Sequence, residues 1–212
     1  MKVMATNLVA ALLLALIPAV VHAQDFAADV VYIATAKPAA PGPGTATPPG
    51  HSSKIYVSKN KMRLETRGVT GTILLVNGDQ HSAIALFPPQ KAYQQLSSAP
   101  SEYFRVDDAG NACADWQNAS SQKIECEKVG PDVVNGRPAV KYQNKAAGIE
   151  GTKAVWIDTA LKFVVKWEGG SAGAELRNIA EAPQAADLFT VPSAYDVVRP
   201  QKPSKGFSKR AR

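Results

Sequence analysis

The feature that most constrains this chain is a repeated unit: a short run of alternating apolar and polar residues, a tight turn, then another such run. Runs this short, rich in Val, Ile, Leu and aromatics and bounded by turn residues, read as strands rather than helices. Residues 26–33 open the series, where Phe26, Ala28, Val30 and Tyr32 alternate with Asp25, Ala27, Asp29 and Val31. Residues 54–58 and 61–67 flank the two-residue turn Lys59-Asn60, and Met62 and Leu64 alternate with Arg63 and Glu65. Residues 72–76 and 80–87 flank Asn77-Gly78-Asp79, the strongest hairpin signal in the chain. Pro88-Pro89-Gln90 then turns the chain into 91–96. Further on, 124–129 and 138–144 bracket a turn at Asn135-Gly136, 154–157 and 163–168 flank 158–162, and 175–179 is the last run.

Strand, tight turn, strand at regular spacing predicts a mainly β fold. Its sheet is antiparallel and curls into a barrel or an open half-barrel. Strands this short need a second layer over their apolar face. The candidate cover is the irregular middle, 98–122, with short helices expected at 102–106 and 114–117, together with the Pro/Gly-rich segment 37–50. Residues 184–189 read as a helical turn, and Val191-Pro192 starts an extended segment.

The N-terminus reads as an export signal. Met1-Lys2 precedes an apolar run over 8–21 that only Pro18 interrupts, and Val21-His22-Ala23 supplies a cleavage site between Ala23 and Gln24. The run is shorter than the ~20 residues of a comfortable membrane span, so an uncleaved anchor is the lesser alternative. No cysteine follows it, which excludes the bacterial lipoprotein route. The expected organisation is a signal peptide 1–23, one domain 24–196 with a Pro/Gly loop 37–52, and a basic tail 197–212. The expected location is periplasmic or secreted, as a monomer without a transmembrane segment.

The formal net charge of +6 is carried by the ends. Setting aside Lys2 and the six cations of the last stretch leaves 17 basic against 18 acidic residues, a body of net charge −1. Such a body is no nucleic-acid surface. The tail residues Lys202, Lys205, Lys209, Arg210 and Arg212 suit contact with anionic lipid or another acidic surface, at ~1 kcal/mol each. Cys113 and Cys126 are an even pair in an exported chain, and a disulfide is expected over two free thiols.

No catalytic constellation emerges. His51 and His81 are the histidines of the exported part, and neither sits in a nucleophile, metal or cofactor motif. Asp107-Asp108 lies beside Gly110 in an expected turn, where Asp is favoured on local grounds. The expectation is therefore a binding protein, without a catalytic residue, metal or cofactor; a hydrolase, which would need His51 or His81 to converge with a carboxylate and a nucleophile, is the lesser alternative. Trp116, Trp156 and Trp167 suit either a core or a cavity wall.

Several segments resemble a family of secreted bacterial proteins of unknown function related in fold to the LolA and LolB lipoprotein carriers. They are Ser53-Lys54-Ile55-Tyr56-Val57-Ser58 with Lys61-Met62-Arg63-Leu64-Glu65, then residues 73–78 and 88–93. Near the end they are Val155-Trp156-Ile157-Asp158, Phe163-Val164-Val165-Lys166, Leu176-Arg177-Asn178-Ile179 and residues 187–195. The resemblance implies an open, unclosed β-barrel with short helices as a lid over an apolar hollow. In LolA that hollow is thought to hold acyl chains. The cysteine loop departs from that carrier and restricts how far a lid could open. A carrier would hold an acyl chain, lipid or lipoprotein against inner-face residues, expected to be Tyr56, Leu64, Leu74, Ile84, Trp156 and Trp167. The alternative is an envelope interaction, stress-sensing or assembly protein that binds a peptide or protein. A hollow interior favours the first and a filled one the second.

Expression with its own leader in a bacterial host should yield a chain beginning at Gln24. Intact mass of the exported protein checks this, and a membrane-bound chain still carrying Met1 would show an anchor instead.

Overall fold

The apolar-polar alternation becomes strands almost wherever it occurs. The computed structural model describes residues 25–34, 53–66, 71–96, 104–119, 123–145, 153–169 and 172–198. The leader, the Pro/Gly loop, His51 and the tail beyond residue 198 lie outside the described residues. The first run forms β1 (Phe26–Ala34), followed by β2 (Ser53–Ser58), β3 (Lys61–Glu65), β4 (Ile73–Asn77), β5 (Ser82–Phe87) and β6 (Ala92–Leu96). A helix, α1 (Ala112–Ala119), precedes β7 (Glu125–Val134), β8 (Arg137–Lys145), β9 (Lys153–Asp158), β10 (Phe163–Gly169) and β11 (Ala172–Glu181). A 3-10 turn, Ala186–Phe189, leads to the two-residue β12 (Asp196–Val197).

Among the described residues these strands form one sheet, in the order β12-β6-β5-β4-β3-β2-β1-β11-β10-β9-β8-β7. Every pairing is antiparallel except β12 with β6. The order is linear, with β12 and β7 as its ends, so the sheet is open. It nevertheless curls. The Asn135 side-chain amide, in the β7–β8 turn, donates to the Leu176 carbonyl on β11 at 2.9 Å. Arg137 pairs with Glu181 across 2.8 Å. With β9 and β10 between them, β8 and β11 would lie about 14 Å apart in a flat sheet. Register shifts at Lys128/Gly130 in β7 and Val164/Lys166 in β10 supply local bends.

Two apolar clusters hold the sheet. The larger contains Phe26 and Val30 of β1, Ile55 and Val57 of β2, Met62, Val76, Phe163 and Leu176, all no more than 4% exposed. These side chains fill the interior of the curl. In the smaller, Ala112 and Trp116 of α1 cover Val140, Tyr142, Ile157 and Val164. Trp116 meets Tyr142 edge-to-face at 5.6 Å, and the Tyr142 hydroxyl donates to the Ala109 carbonyl at 2.8 Å. Phe104 and Trp167 pack against both clusters. The Cys113–Cys126 disulfide ties α1 to β7, with Cα atoms 5.5 Å apart.

One expectation is overturned: residues 104–106 are not helical. Arg105 forms a β-bridge with Phe163, the Val164 N–H donates to the Phe104 carbonyl at 2.7 Å, and the Val106 N–H to the Lys162 carbonyl at 3.0 Å. The backbone groups that a helix would use are taken by β10, and the Phe-Arg-Val alternation suits that role. The helix expected at 114–117 is α1. The β4–β5 hairpin closes over 78–81, and His81 (φ 47°) stands in the turn rather than in β5. β7 runs on to Val134 through the bulge at Gly130 and through Pro131, which an edge strand accommodates. Tyr32 breaks the inward series of β1, at 59% exposure.

Asp158 is the buried polar hub of the β9–β10 turn. Its carboxylate, 1% exposed, accepts from the Ala160 and Leu161 N–H groups at 2.9 and 2.8 Å and from Arg137. Asp158→Ala should lose about 2–3 kcal/mol, since it removes a charge-assisted bond and two turn bonds. Reducing the disulfide should lose roughly 3 kcal/mol in the chain-entropy account. Urea unfolding of the variant, and of the wild type with and without reductant, measures both.

Candidate functional site

Four chain segments meet at one end of the sheet and leave a cleft of about 340 Å³ between them. The β2–β3 turn contributes Val57, Lys59, Asn60, Lys61 and Met62, and the β4–β5 turn contributes Gly78 and His81. Phe104, Arg105 and Asp107 of the crossing segment and Phe163 of β10 complete it. The two turns are locked to each other: the Gly78 N–H donates to the Asn60 carbonyl at 2.8 Å, and the Asn60 amide to Asp79 at 2.7 Å. Asp25 clamps the first turn, accepting from the Ser58 hydroxyl at 2.8 Å and the Lys59 N–H at 3.0 Å.

The floor is apolar and the rim is charged. Phe104 stacks on Phe163 at 5.9 Å, Phe163 meets Phe26 edge-to-face at 5.2 Å, and Phe104 meets Trp167 in the same way at 6.0 Å. An aromatic path therefore runs from the cleft into the core. The rim carries three cations, Lys59, Lys61 and Arg105, against one anion, Asp107. Arg105 sits 5.7 Å above the Phe163 ring centroid, and its Nη1 donates to the Leu161 carbonyl at 3.3 Å. Its Nε and Nη2 are shut off from solvent and meet no acceptor among the described residues. Burial pushes the Arg105 guanidinium below its ordinary pKa, and the charge of Asp25 opposes that shift.

The six residues expected from sequence are placed apart from this cleft. Leu64 and Leu74 face each other across β3 and β4 and pack on the larger cluster. Trp156 belongs to that cluster, and Trp167 touches both. Tyr56 stands on the face opposite buried Ile55 and Val57, and Ile84 on the face opposite buried Ala83 and Ala85. That second face is covered in part by the 3-10 turn, whose Leu188 carbonyl accepts from Arg63 at 2.9 Å. The structure thus brings four of the six to one core and leaves two on the other side. Phe104 and Arg105 escaped the sequence reading because a helix was expected there, whereas Asp107 was read only as a turn residue. The available signal was Arg105 between two apolar residues.

Trp156 has its own polar setting. Its cross-strand neighbours Lys141 and Lys166 lie over the ring at 4.7 and 4.4 Å. Its indole N–H donates to Asp132 at 2.7 Å. That bond, then the Val133 N–H, holds the Asp132 carboxyl below its ordinary pKa. Among the described residues no helix is long and apolar enough to cross a membrane.

No family model matches the chain, and no curated protein matches it. Solved structures do. An uncharacterised conserved protein from Thermus thermophilus aligns at TM-score 0.51 and 10% identity, covering 84% of this chain and 92% of that one. PNGF-II aligns at TM-score 0.52 and 10% identity, covering 82% of this chain but only 31% of its own. A putative outer membrane lipoprotein-sorting protein domain from Vibrio parahaemolyticus matches more distantly, at TM-score 0.34 and 13% identity, over 78% of this chain and 89% of that one. At these identities the first two matches speak for the fold alone: a mainly β, open, curled sheet.

The Asp132 shift has a definite sign. A depressed folded-state pKa stabilises above the unfolded value, about 3.9, and that contribution is lost as pH falls through the folded value. The Trp156 indole N–H resonance should therefore hold steady from pH 7 to pH 4 and move only in stronger acid. Asp132→Asn should abolish that acid step. NMR titration reads both.

Proposed function

We propose that this is an exported binding protein for a small amphiphile, an acyl chain or simple lipid, held in the cleft beneath the crossing segment. The observation that carries the reading is the pairing of an aromatic floor with a cationic rim in one cleft. The volume of about 340 Å³ lies at the small end of ordinary ligand sites. Each methylene taken from water onto the Phe104–Phe163 floor contributes about 0.8 kcal/mol. The reading is narrower than a lipoprotein carrier, because side chains fill the curl where a long chain would lie. Phe104 lies in the segment that crosses β10, so a ligand on the floor would press against that crossing.

A second reading, a peptide or protein partner in the envelope, is favoured by the same filled interior. Native mass spectrometry of the protein exported to a bacterial periplasm and purified without detergent separates the two. A bound apolar species that leaves on denaturation, or uptake of added dodecanoate, supports the amphiphile. A clean mass and no uptake sinks it and supports the partner protein. Phe104→Ala should reduce uptake by roughly tenfold, in line with an aromatic contact beyond area burial.

A further inference from the structure

We propose that Arg105, with Lys59 and Lys61, recognises an anionic oxygen head group, a carboxylate or a phosphate, at the rim of the cleft. The proposal deepens the amphiphile reading and rests on it for the apolar half of the ligand.

The starting point is an unbalanced account around one side chain. Asp158, a fully buried carboxylate, meets a donor with each of its oxygens. Arg105 does not meet that standard. It is drawn against β10 by its backbone bridge to Phe163, and one nitrogen reaches the Leu161 carbonyl. The Nε and Nη2 donors are removed from water without an acceptor among the described residues. A buried, unsatisfied donor on a cation is costly, and a native fold keeps such a group where something supplies the acceptor. Asp25 acts on Arg105 only through its charge, since its oxygens are engaged by Ser58 and Lys59. Asp107 shares the cleft but is exposed.

The surroundings select the sign and the shape of the missing acceptor. Lys59 and Lys61 stand in the wall formed by the β2–β3 turn, and neither has an ion pair among the described residues. Both leftover donors are shut off from solvent, so a head group reaches them only by displacing the atoms that cover them; two such donors on one guanidinium suit a head with two oxygens, and flanking ammonium groups add charge without fixing direction. Arg105 lies over the Phe163 ring, so the head site and the apolar floor share one wall. A chain on the floor would present its head to Arg105.

The test compares ligands that share one chain, measured by calorimetry on the exported full-length protein. Dodecanoate and dodecyl phosphate should bind at least about tenfold tighter than dodecanol, as expected for a charge-assisted hydrogen bond, and dodecyltrimethylammonium weakest. Arg105→Met should reduce the anionic ligands to the dodecanol level and leave dodecanol unchanged. Its melting temperature without ligand should stay level or rise, since it removes a buried unpaired cation. A merely structural Arg105 would instead lower that temperature and leave the ligand ratio intact. Lys59→Gln with Lys61→Gln, exposed residues of the β2–β3 turn and of the start of β3, should weaken anion binding several-fold and flatten its salt dependence. Equal affinity for dodecanoate and dodecanol overturns the head site while the amphiphile reading stands. If no chain binds, the amphiphile reading fails, and acetate and inorganic phosphate decide the head site alone. A shift of the Arg105 Nε–H resonance that the lysine variant loses supports it as a site for free anions, and no shift overturns it.

Discussion

The pairing of β1 with β11 joins what would otherwise be two separate sheets. β1 lies between β2 and β11, with Phe26 opposite Val57 on one side and Glu181 on the other. On one side run the meander β2 to β6 and the short β12, and on the other β11 back to β7. The inward residues Phe26, Ala28 and Val30 are almost wholly buried, and both halves pack on them. Closing a contact between the first and eleventh strands costs loop entropy that only long-range burial can offset. Every later feature, including the aromatic path from Phe26 to Phe163 and Phe104, depends on that closure.

The curl follows from how the second half bends back. The β7–β8 turn reaches β11 through Asn135 and Arg137, and the bulge in β10 changes which of its residues face β9. By strand alternation Phe163 and Val165 serve the larger cluster while Val164 serves the smaller one. The crossing segment 104–106 is pinned on the same strand, and this carries Arg105 to the cleft. Burial is well compensated at Asp158 and at the Tyr142 hydroxyl. It is left incomplete at Arg105. That contrast within one fold is the reason the cleft draws functional interest and the Asp158 turn does not.

The strands were legible because alternation with a period of two is a local signal, and the turns because Lys59-Asn60, Asn77-Gly78 and Asn135-Gly136 carry their own backbone preferences. The disulfide followed from an even pair of cysteines in a chain whose N-terminus was read as an export signal. Residues 104–106 were misread because a short apolar segment without a partner in view looks equally like a helix turn or a bridge. Tyr56 and Ile84 were grouped with Leu64 and Leu74, yet register and burial put them on the other face. In an open sheet covered on both sides, apolar residues occur on both faces, so hydrophobicity alone does not name the inner one.

What this sequence determined by itself is local: which segments are extended, where the chain reverses, and that its cysteines can pair. These depend on neighbours a few residues apart, whose preferences act before any tertiary contact forms. The tertiary structure alone decided the joining of β1 to β11, the curl, and the meeting of Lys59, Lys61, Phe104, Arg105 and Phe163 around one cleft. Those residues come from three distant segments. Their proximity is a consequence of strand order and bulges, which are set by the burial of the whole core rather than by any short stretch of chain.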